Sequence, residues 1–264
     1  MTNTRFLEVP GGRLAYDVQG DGPLVVCMPG MGDIRQTYRF LTPRLVAAGY
    51  RVATVDLRGH GESSARWDDY SPEAVGADLL ALVDHLGGPA VLVGTSFSPS
   101  SAVWAAAQAP EKVAGLVLIS MFTANPTMNP VMRLISGQVM SRVALWLPFY
   151  KSLYSTVPAD FADYRATMKA SFKRTGMAAV KAMGLADKTE ANRSIADVRC
   201  PTLVLYGAKD PDFPDSAAQA AEARRLLPDA TVELIDGVKH YPAAEAPDTV
   251  APAVLKLLGE AFGA

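Results

Sequence analysis

Only two of the 264 residues are cysteine and only three are histidine. Cys27 lies inside an apolar run and Cys200 just before another, so both read as small core hydrophobes rather than as a disulfide or a metal pair. Three scattered histidines without paired cysteines offer no metal-ligand spacing. No metal and no other cofactor is therefore expected. An excess of charge is missing too: 25 Lys and Arg stand against 27 Asp and Glu, a net charge of −2. That removes any electrostatic case for nucleic acid or an anionic membrane as partner. No apolar run reaches the ~18 residues of a bilayer span. Met1 to Arg5 lack the charged start and apolar run of a signal peptide. The expectation is a cytoplasmic protein with no membrane span; its oligomeric state stays open.

What the chain does have is alternation. Phe6 to Val9 and Leu14 to Gln19 read as a hairpin through Gly11-Gly12. Leu24 to Met28 is an apolar strand, followed by a loop and a helix near Thr37 to Ala48. Arg51 to Asp56, Ala90 to Val93 and Leu116 to Ser120 are further strands. Ser71-Pro72-Glu73 opens a helix that continues through Ala74 to Leu86, with Ser at the N-cap and Pro at the first helical position. Pro201 to Tyr206 and Val232 to Ile235 are late strands. Strands alternating with helices imply an α/β fold: a mostly parallel, twisted sheet of about eight strands with helices on both faces. A chain of this length can bury one large core.

The chemistry concentrates in Val91-Leu92-Val93-Gly94-Thr95-Ser96-Phe97-Ser98. An apolar strand breaks at Gly-Thr-Ser and turns into a helical pattern, which is how a nucleophilic serine is presented on a sharp strand-to-helix turn. The residues two before and two after such a serine must be small, and here they are Gly94 and Ser98. Pro99 disfavours helical backbone at Ser98, which predicts a slightly altered turn. A serine needs a base to take its proton, usually histidine. His85 lies near the end of a helix, where the dipole favours a cation, and reads as a surface residue. His60 lies in the Gly-rich stretch Asp56-Leu57-Arg58-Gly59-His60-Gly61-Glu62-Ser63 and reads as part of a structural turn. His240 follows the strand Val232 to Ile235 on a loop, where open α/β sheets place their chemistry. The third member should be a carboxylate. Asp210 follows the strand ending at Tyr206-Gly207, Asp212 is its rival between two prolines, and Asp215 is better placed as the N-cap of the next helix. Ser96, Asp210 and His240 are thus the candidate nucleophile, orienting acid and base.

These segments together resemble the α/β-hydrolase superfamily, in particular its compact serine-nucleophile members. The resemblance is carried by Met28-Pro29-Gly30-Met31-Gly32, Asp56 to Ser63, Gly94-Thr95-Ser96-Phe97-Ser98, Tyr206 to Asp210 and His240-Tyr241-Pro242, and covers nearly the whole chain. It implies an oxyanion hole built from the backbone N–H groups of Met31 and Phe97. It implies water as the acyl acceptor. The sequence departs from the family pattern at Pro29, often His, and at Ser98, usually Gly.

The alternation breaks between about Met121 and Asp197. The resemblance implies a helical cap over residues 121–198, inserted after strand six, with the core in residues 1–120 and 199–264. Its helical patterns are Pro130 to Gln138, Arg142 to Tyr154 and Pro158 to Met183. It holds ten Lys and Arg against five Asp and Glu, so the rest of the chain carries the acidic balance. Met128, Met132, Met140, Met168, Met177 and Met183 accompany Trp146, Phe149, Phe161 and Phe172 there. Flexible Met side chains suit an adaptable apolar pocket, although for any one of them packing between helices is the plainer role. The expected activity is that of a serine hydrolase on a small apolar acyl substrate: an ester, lactone or thioester. The alternatives are a carbon–carbon bond hydrolase with the same triad, and a ligand-binding protein on a hydrolase scaffold. Family members that open epoxides or remove halide use Asp as nucleophile, against which Ser96 speaks.

Overall fold

The computed structural model describes residues 4–263. Eight strands form one sheet in the order β1-β2-β4-β3-β5-β6-β7-β8. They are β1 (Arg5–Val9), β2 (Gly12–Gln19), β3 (Leu24–Met28), β4 (Arg51–Val55), β5 (Ala90–Thr95), β6 (Val113–Ile119), β7 (Thr202–Gly207) and β8 (Thr231–Ile235). β1 and β2 pair antiparallel, and β2 meets β4 antiparallel. Every pairing from β4 through β8 is parallel. The central strands β3, β5 and β7 are buried along their whole length, as a sheet covered on both faces requires.

Side-chain alternation divides the core in two. Val26, Met28 and Leu92 face one layer, with α2 (Pro72–Leu86), α3 (Ser98–Gln108) and α9 (Ser216–Leu226) packed over them. Val25, Cys27, Val91 and Val93 face the other, under α1 (Thr42–Ala47) and α11 (Pro247–Phe262). Each buried Leu or Val of these layers contributes about 1.5–3 kcal/mol over its exposed state. Ser71 caps α2 by accepting from Ala74 N–H, and the helix ends at Gly87 with φ +74°. Asp215 accepts from the N–H groups of Ala217 and Ala218 at 2.9 Å and caps α9. Both cysteines are free.

Some helical boundaries differ from the sequence expectation. The helix expected from Thr37 to Ala48 is a short 3-10 turn at Arg35–Tyr38 followed by α1. Between β6 and β7 the chain makes α4 (Pro130–Val139), α5 (Val143–Ser152), α6 (Phe161–Thr175), α7 (Ala178–Leu185) and α8 (Thr189–Arg193). The single helix expected over Pro158 to Met183 is thus two. Gly176, at φ +75° and ψ −168°, takes an extended positive-φ conformation open essentially only to glycine, and α6 ends there. Met140, Met168 and Met177 pack with Trp146, Tyr150, Phe161 and Phe172 in a third apolar cluster that also takes in Ile34, Tyr241 and Ala244 from outside this insertion. Met183 joins the main core instead, in the cluster that holds Phe97. No helix among the described residues is long and apolar enough to cross a membrane.

Candidate active site

β5 ends at Thr95 and α3 begins at Ser98, which leaves two residues to reverse the chain. Ser96 absorbs the turn with φ +62°. That conformation costs a non-glycine residue on the order of 1–3 kcal/mol and persists only where the surroundings impose it. Part of that imposition is the Ser96 N–H, which donates to Ile119 O of β6 at 2.8 Å. Gly94 is the other part, since a Cβ there would stand 2.9 Å from the Ser98 carbonyl carbon and from Pro99 N. The altered turn that Pro99 suggests does not occur: Ser98 is already the first residue of α3. Pro99 sits in the first turn, where its missing N–H has no intrahelical partner to lose. The Ser98 side chain has a use of its own, because its buried hydroxyl donates to Pro29 O. It ties the turn to the loop after β3 at the position where the family pattern has glycine.

That loop lies directly against the serine. A Cβ at Gly30 would stand 2.9 Å from Ser96 Cβ and 3.5 Å from Ser96 Oγ. Gly32 N–H donates to His60 Nε2 at 2.9 Å, while His60 Nδ1 lies 3.0 Å from Arg58 O. An amide can only donate and a carbonyl only accept, so His60 is the neutral tautomer with its proton on Nδ1. Burial pulls its pKa below the ordinary histidine value, against the Arg58 carbonyl and the Asp56 charge. The turn-forming role read from the sequence is thereby specified: His60 holds the loop that faces the serine. Asp56 fixes the same loop from below, accepting from Arg35 N–H at 2.8 Å and Glu62 N–H at 2.9 Å. The N–H groups of Met31 and Phe97 donate to none of the described residues. Two donors are therefore unspent, one on the residue after Ser96 and one on the loop that touches it at Gly30. His85 is exposed on α2 and bonds Tyr16 Oη at 2.9 Å.

His240 lies on the loop after β8 and is buried, with 1% of its surface exposed. Its N–H donates to Leu153 O at 3.1 Å, and its carbonyl accepts from Ser120 Oγ at 3.0 Å. Its Nδ1 is 2.8 Å from Asp210 Oδ2 and 3.6 Å from Asp212 Oδ2. Asp210 is thus within hydrogen-bond distance and Asp212 is not. Asp210 is itself buried, and its other oxygen accepts from Asp212 N–H at 3.0 Å. Burial of His240 alone would lower its pKa. The charges of Asp210 and then Asp212, with the Asp210 hydrogen bond, outweigh that and push it up to about 9. Ser96 Oγ makes no hydrogen bond among the described residues, to His240 or to any other group.

Sequence reasoning missed three residues here. Ser120, at the end of β6 with φ +50°, anchors the His240 carbonyl. Asp33 is fully buried beside the loop after β3 and accepts from Tyr150 Oη at 2.9 Å and from Tyr164 Oη. Burial pushes its pKa up to about 6, against the hydrogen bonds from Tyr164, Ile34 N–H and Tyr150. An acid after Met31-Gly32 was the available signal for it. Lys188, buried close to Phe97, had none in the polar run Asp187-Lys188-Thr189-Glu190.

Residues 25–253 match the sequence model of the Alpha/beta hydrolase family. The chain is 29% identical over 253 residues to the pimeloyl-[acyl-carrier protein] methyl ester esterase of Xanthomonas campestris pv. campestris, covering 90% of this chain and 96% of that protein. It is 25% identical over 260 residues to the 2-(acetamidomethylene)succinate hydrolase of Mesorhizobium japonicum, covering 94% and 92%. Among solved structures, a bromoperoxidase from Bacillus anthracis superposes with a TM-score of 0.82 at 21% identity, covering 97% of this chain and 99% of the other, a likeness of fold. With the match spanning most of the sheet and all the loops described above, the chain belongs to the alpha/beta hydrolase family.

Proposed function

We propose that this hydrolase is a serine hydrolase that cleaves an ester or related acyl bond. The observation that carries this reading is Ser96 held at φ +62° on the turn into α3, with the N–H groups of the next residue, Phe97, and of Met31 on the adjoining loop both unspent. The buried His240–Asp210 pair supplies the base and its orienting acid. Ser96 Oγ attacks the substrate carbonyl carbon and loses its proton to His240 Nε2. The oxyanion that forms accepts hydrogen bonds from Met31 and Phe97 N–H. Collapse expels the alcohol, which takes the proton from His240 and leaves an acyl group on Ser96. Water, deprotonated by His240, then attacks the acyl carbon and restores Ser96. Asp210 holds the imidazole by its Nδ1–H throughout and stabilises the imidazolium. The five-helix insertion, residues 121–198 with the core on either side, serves as a cap that shapes an apolar acyl pocket. The named activity of the Xanthomonas relative favours an ester as the bond cleaved.

Labelling with a fluorophosphonate, with the labelled peptide mapped by mass spectrometry, tests this. Label on Ser96, lost in His240→Ala, together with turnover of 4-nitrophenyl esters that Ser96→Ala abolishes, is expected. A folded, unlabelled protein that still binds ligands would replace the enzyme reading with a binding protein.

A further inference from the structure

The insertion's basic balance is nearly all surface. Of its ten Lys and Arg, nine are exposed, and Lys188 alone is buried, with 5% of its surface accessible. A buried ammonium ordinarily has a counter-ion, because leaving water without one is costly. Lys188 has none: its Nζ makes no ion pair and no hydrogen bond to the described residues. The neighbouring Asp187 turns one oxygen to other donors, its Oδ1 accepting from Thr189 N–H at 2.9 Å, Thr189 Oγ1 at 2.6 Å and Asn125 Nδ2 at 2.6 Å. Asn125 Oδ1 in turn accepts from Lys188 N–H at 2.9 Å. This polar turn fixes the backbone, and Asp187 acts on the ammonium through its charge without forming an ion pair with it.

The ammonium instead lies 5.7 Å from the centre of the Phe97 ring. Phe97 follows the nucleophile and carries one of the two unspent N–H donors, so the cation lies against the side chain of the residue next to Ser96. The face of a phenyl ring is a weak partner and leaves three N–H donors open. Lys188 Nζ is also not sealed from solvent, unlike the buried unpaired polar atoms elsewhere in the fold. Phe97 itself belongs to an apolar cluster that also holds Met121 and Met183, with Met31, Phe122 and Ala186 packed half-buried against that cluster. Burial holds the Lys188 pKa below the ordinary lysine value. An open ammonium in an apolar setting is matched by a carboxylate, which would form short, charge-assisted hydrogen bonds there.

We infer that Lys188 is a specificity-determining residue: the substrate carries a free carboxylate besides the acyl bond that is cleaved, and Lys188 binds it. This rests on the hydrolase reading for the chemistry at Ser96. The acyl class is then a monoester of a dicarboxylic acid or a comparable anionic acyl compound, with an apolar stretch between its two ends.

The test compares 4-nitrophenyl monoesters of adipic and pimelic acid with 4-nitrophenyl hexanoate and heptanoate. The readout is the ratio of kcat/KM values, charged over neutral. A ratio of about 10 or more, carried mainly by KM, is expected from one charge-assisted contact. In Lys188→Met the ratio should fall to 1 or below, and Lys188→Arg should restore part of it. A wild-type ratio near 1, or one that survives Lys188→Met, overturns the assignment. Calorimetric binding of monomethyl adipate to Ser96→Ala separates this from the fate of the hydrolase reading. Binding that disappears in the Ser96→Ala, Lys188→Met double variant supports Lys188 even where no ester is turned over and Ser96 takes no label. Absence of binding to Ser96→Ala, or binding indifferent to Lys188, overturns it.

Discussion

Removing the charge of Asp212 should move the pH at which the enzyme becomes active. His240 must be neutral to accept a proton, and its pKa stands at about 9, so the rising limb of kcat/KM should lie on the alkaline side of neutrality. Two carboxylates hold it there, and they differ in kind. Asp210 is buried at 2.8 Å and bonds Nδ1; Asp212 is a quarter exposed at 3.6 Å and acts through its charge. Coulomb's law at 3.6 Å gives about 1 kcal/mol in the dielectric of water and about 4.6 kcal/mol at an effective dielectric of 20. The partial exposure of Asp212 puts the effect toward the lower figure. Asp212→Asn should therefore bring the limb down by roughly 1–2 pH units, with kcat on the alkaline plateau changed little. Burial holds the Asp212 carboxyl above the usual range, against the attraction of His240, so the three groups titrate together and the limb reports the set. Hydrolysis of a neutral ester followed by pH-stat between pH 5.5 and 10 reads it directly. A limb that stays in place or rises would refute the assignment of the imidazole's raised pKa to Asp212. Asp210→Asn is the companion measurement: it should cost on the order of 10⁴ in kcat, as loss of the orienting acid does in other triads. If Asp212→Asn caused that loss instead, the roles of the two acids would be exchanged.

Asp33, with a folded pKa of about 6 against an unfolded value of 3.8, binds its proton more tightly in the native state. Its contribution favours folding fully below pH 4 and is lost as pH rises toward 6, an effect on the order of 3 kcal/mol. Asp33→Asn should flatten that slope in urea unfolding curves collected from pH 4 to 7; an unchanged slope would show that Asp33 does not titrate there. The donors of Asp210, Asp212 and His240 converge within 4.8 Å, yet a proton shared along the 2.8 Å Nδ1–Oδ2 line accounts for that approach. Prolonged EDTA treatment should accordingly leave ester hydrolysis intact, and loss of activity restored by a divalent ion would count against the triad. Gly94→Ala should cost activity and several degrees of melting temperature, since its Cβ meets the backbone of the Ser96 turn; a fully active variant would show that the turn can give way.

The sheet was legible because its signal is local and repetitive: apolar strands bounded by Gly, Pro and polar turns, alternating with capped helices. Ser71 and Asp215 announced the starts of α2 and α9 by chemistry that acts within three residues. The break of the long insertion helix at Gly176 was harder to read, because glycine interrupts a helix only where it leaves helical backbone, here for φ +75° and ψ −168°, and packing decides that. At the candidate site, Ser96, Asp210 and His240 stood out as candidates because chain order and strand ends point to them. The residues that support them did not. Ser120 serves through a bond to a carbonyl 120 positions away, and Asp33 through tyrosines 117 and 131 positions away. Such partners have no spacing rule. Lys188 is an extreme case, for its meaning lies in having no partner among the residues around it.

These supporting bonds also join the insertion to the chemistry. Trp146 of α5 donates its Nε1–H to Gly32 O at 2.9 Å, and Tyr150 and Tyr164 donate to Asp33, the next residue. Gly32 N–H is held by His60 on the other side. The loop bearing the Met31 amide is thus suspended between the core and the insertion, and a disturbance of either should reach it. Trp146→Phe tests the insertion's share. It keeps most of the ring, removes one hydrogen bond and leaves a buried carbonyl unpaired, at a cost of about 1–3 kcal/mol. For a chain of this size that is a fall of a few degrees in Tm. If the suspension matters, kcat should drop tenfold or more at temperatures where the variant is fully folded, because a donor displaced by a fraction of an ångström loses much of its hold on the oxyanion. A variant with lowered Tm and unchanged kcat would mean that His60 and Asp56 hold the loop without help, and that the insertion governs access to the serine but not its chemistry.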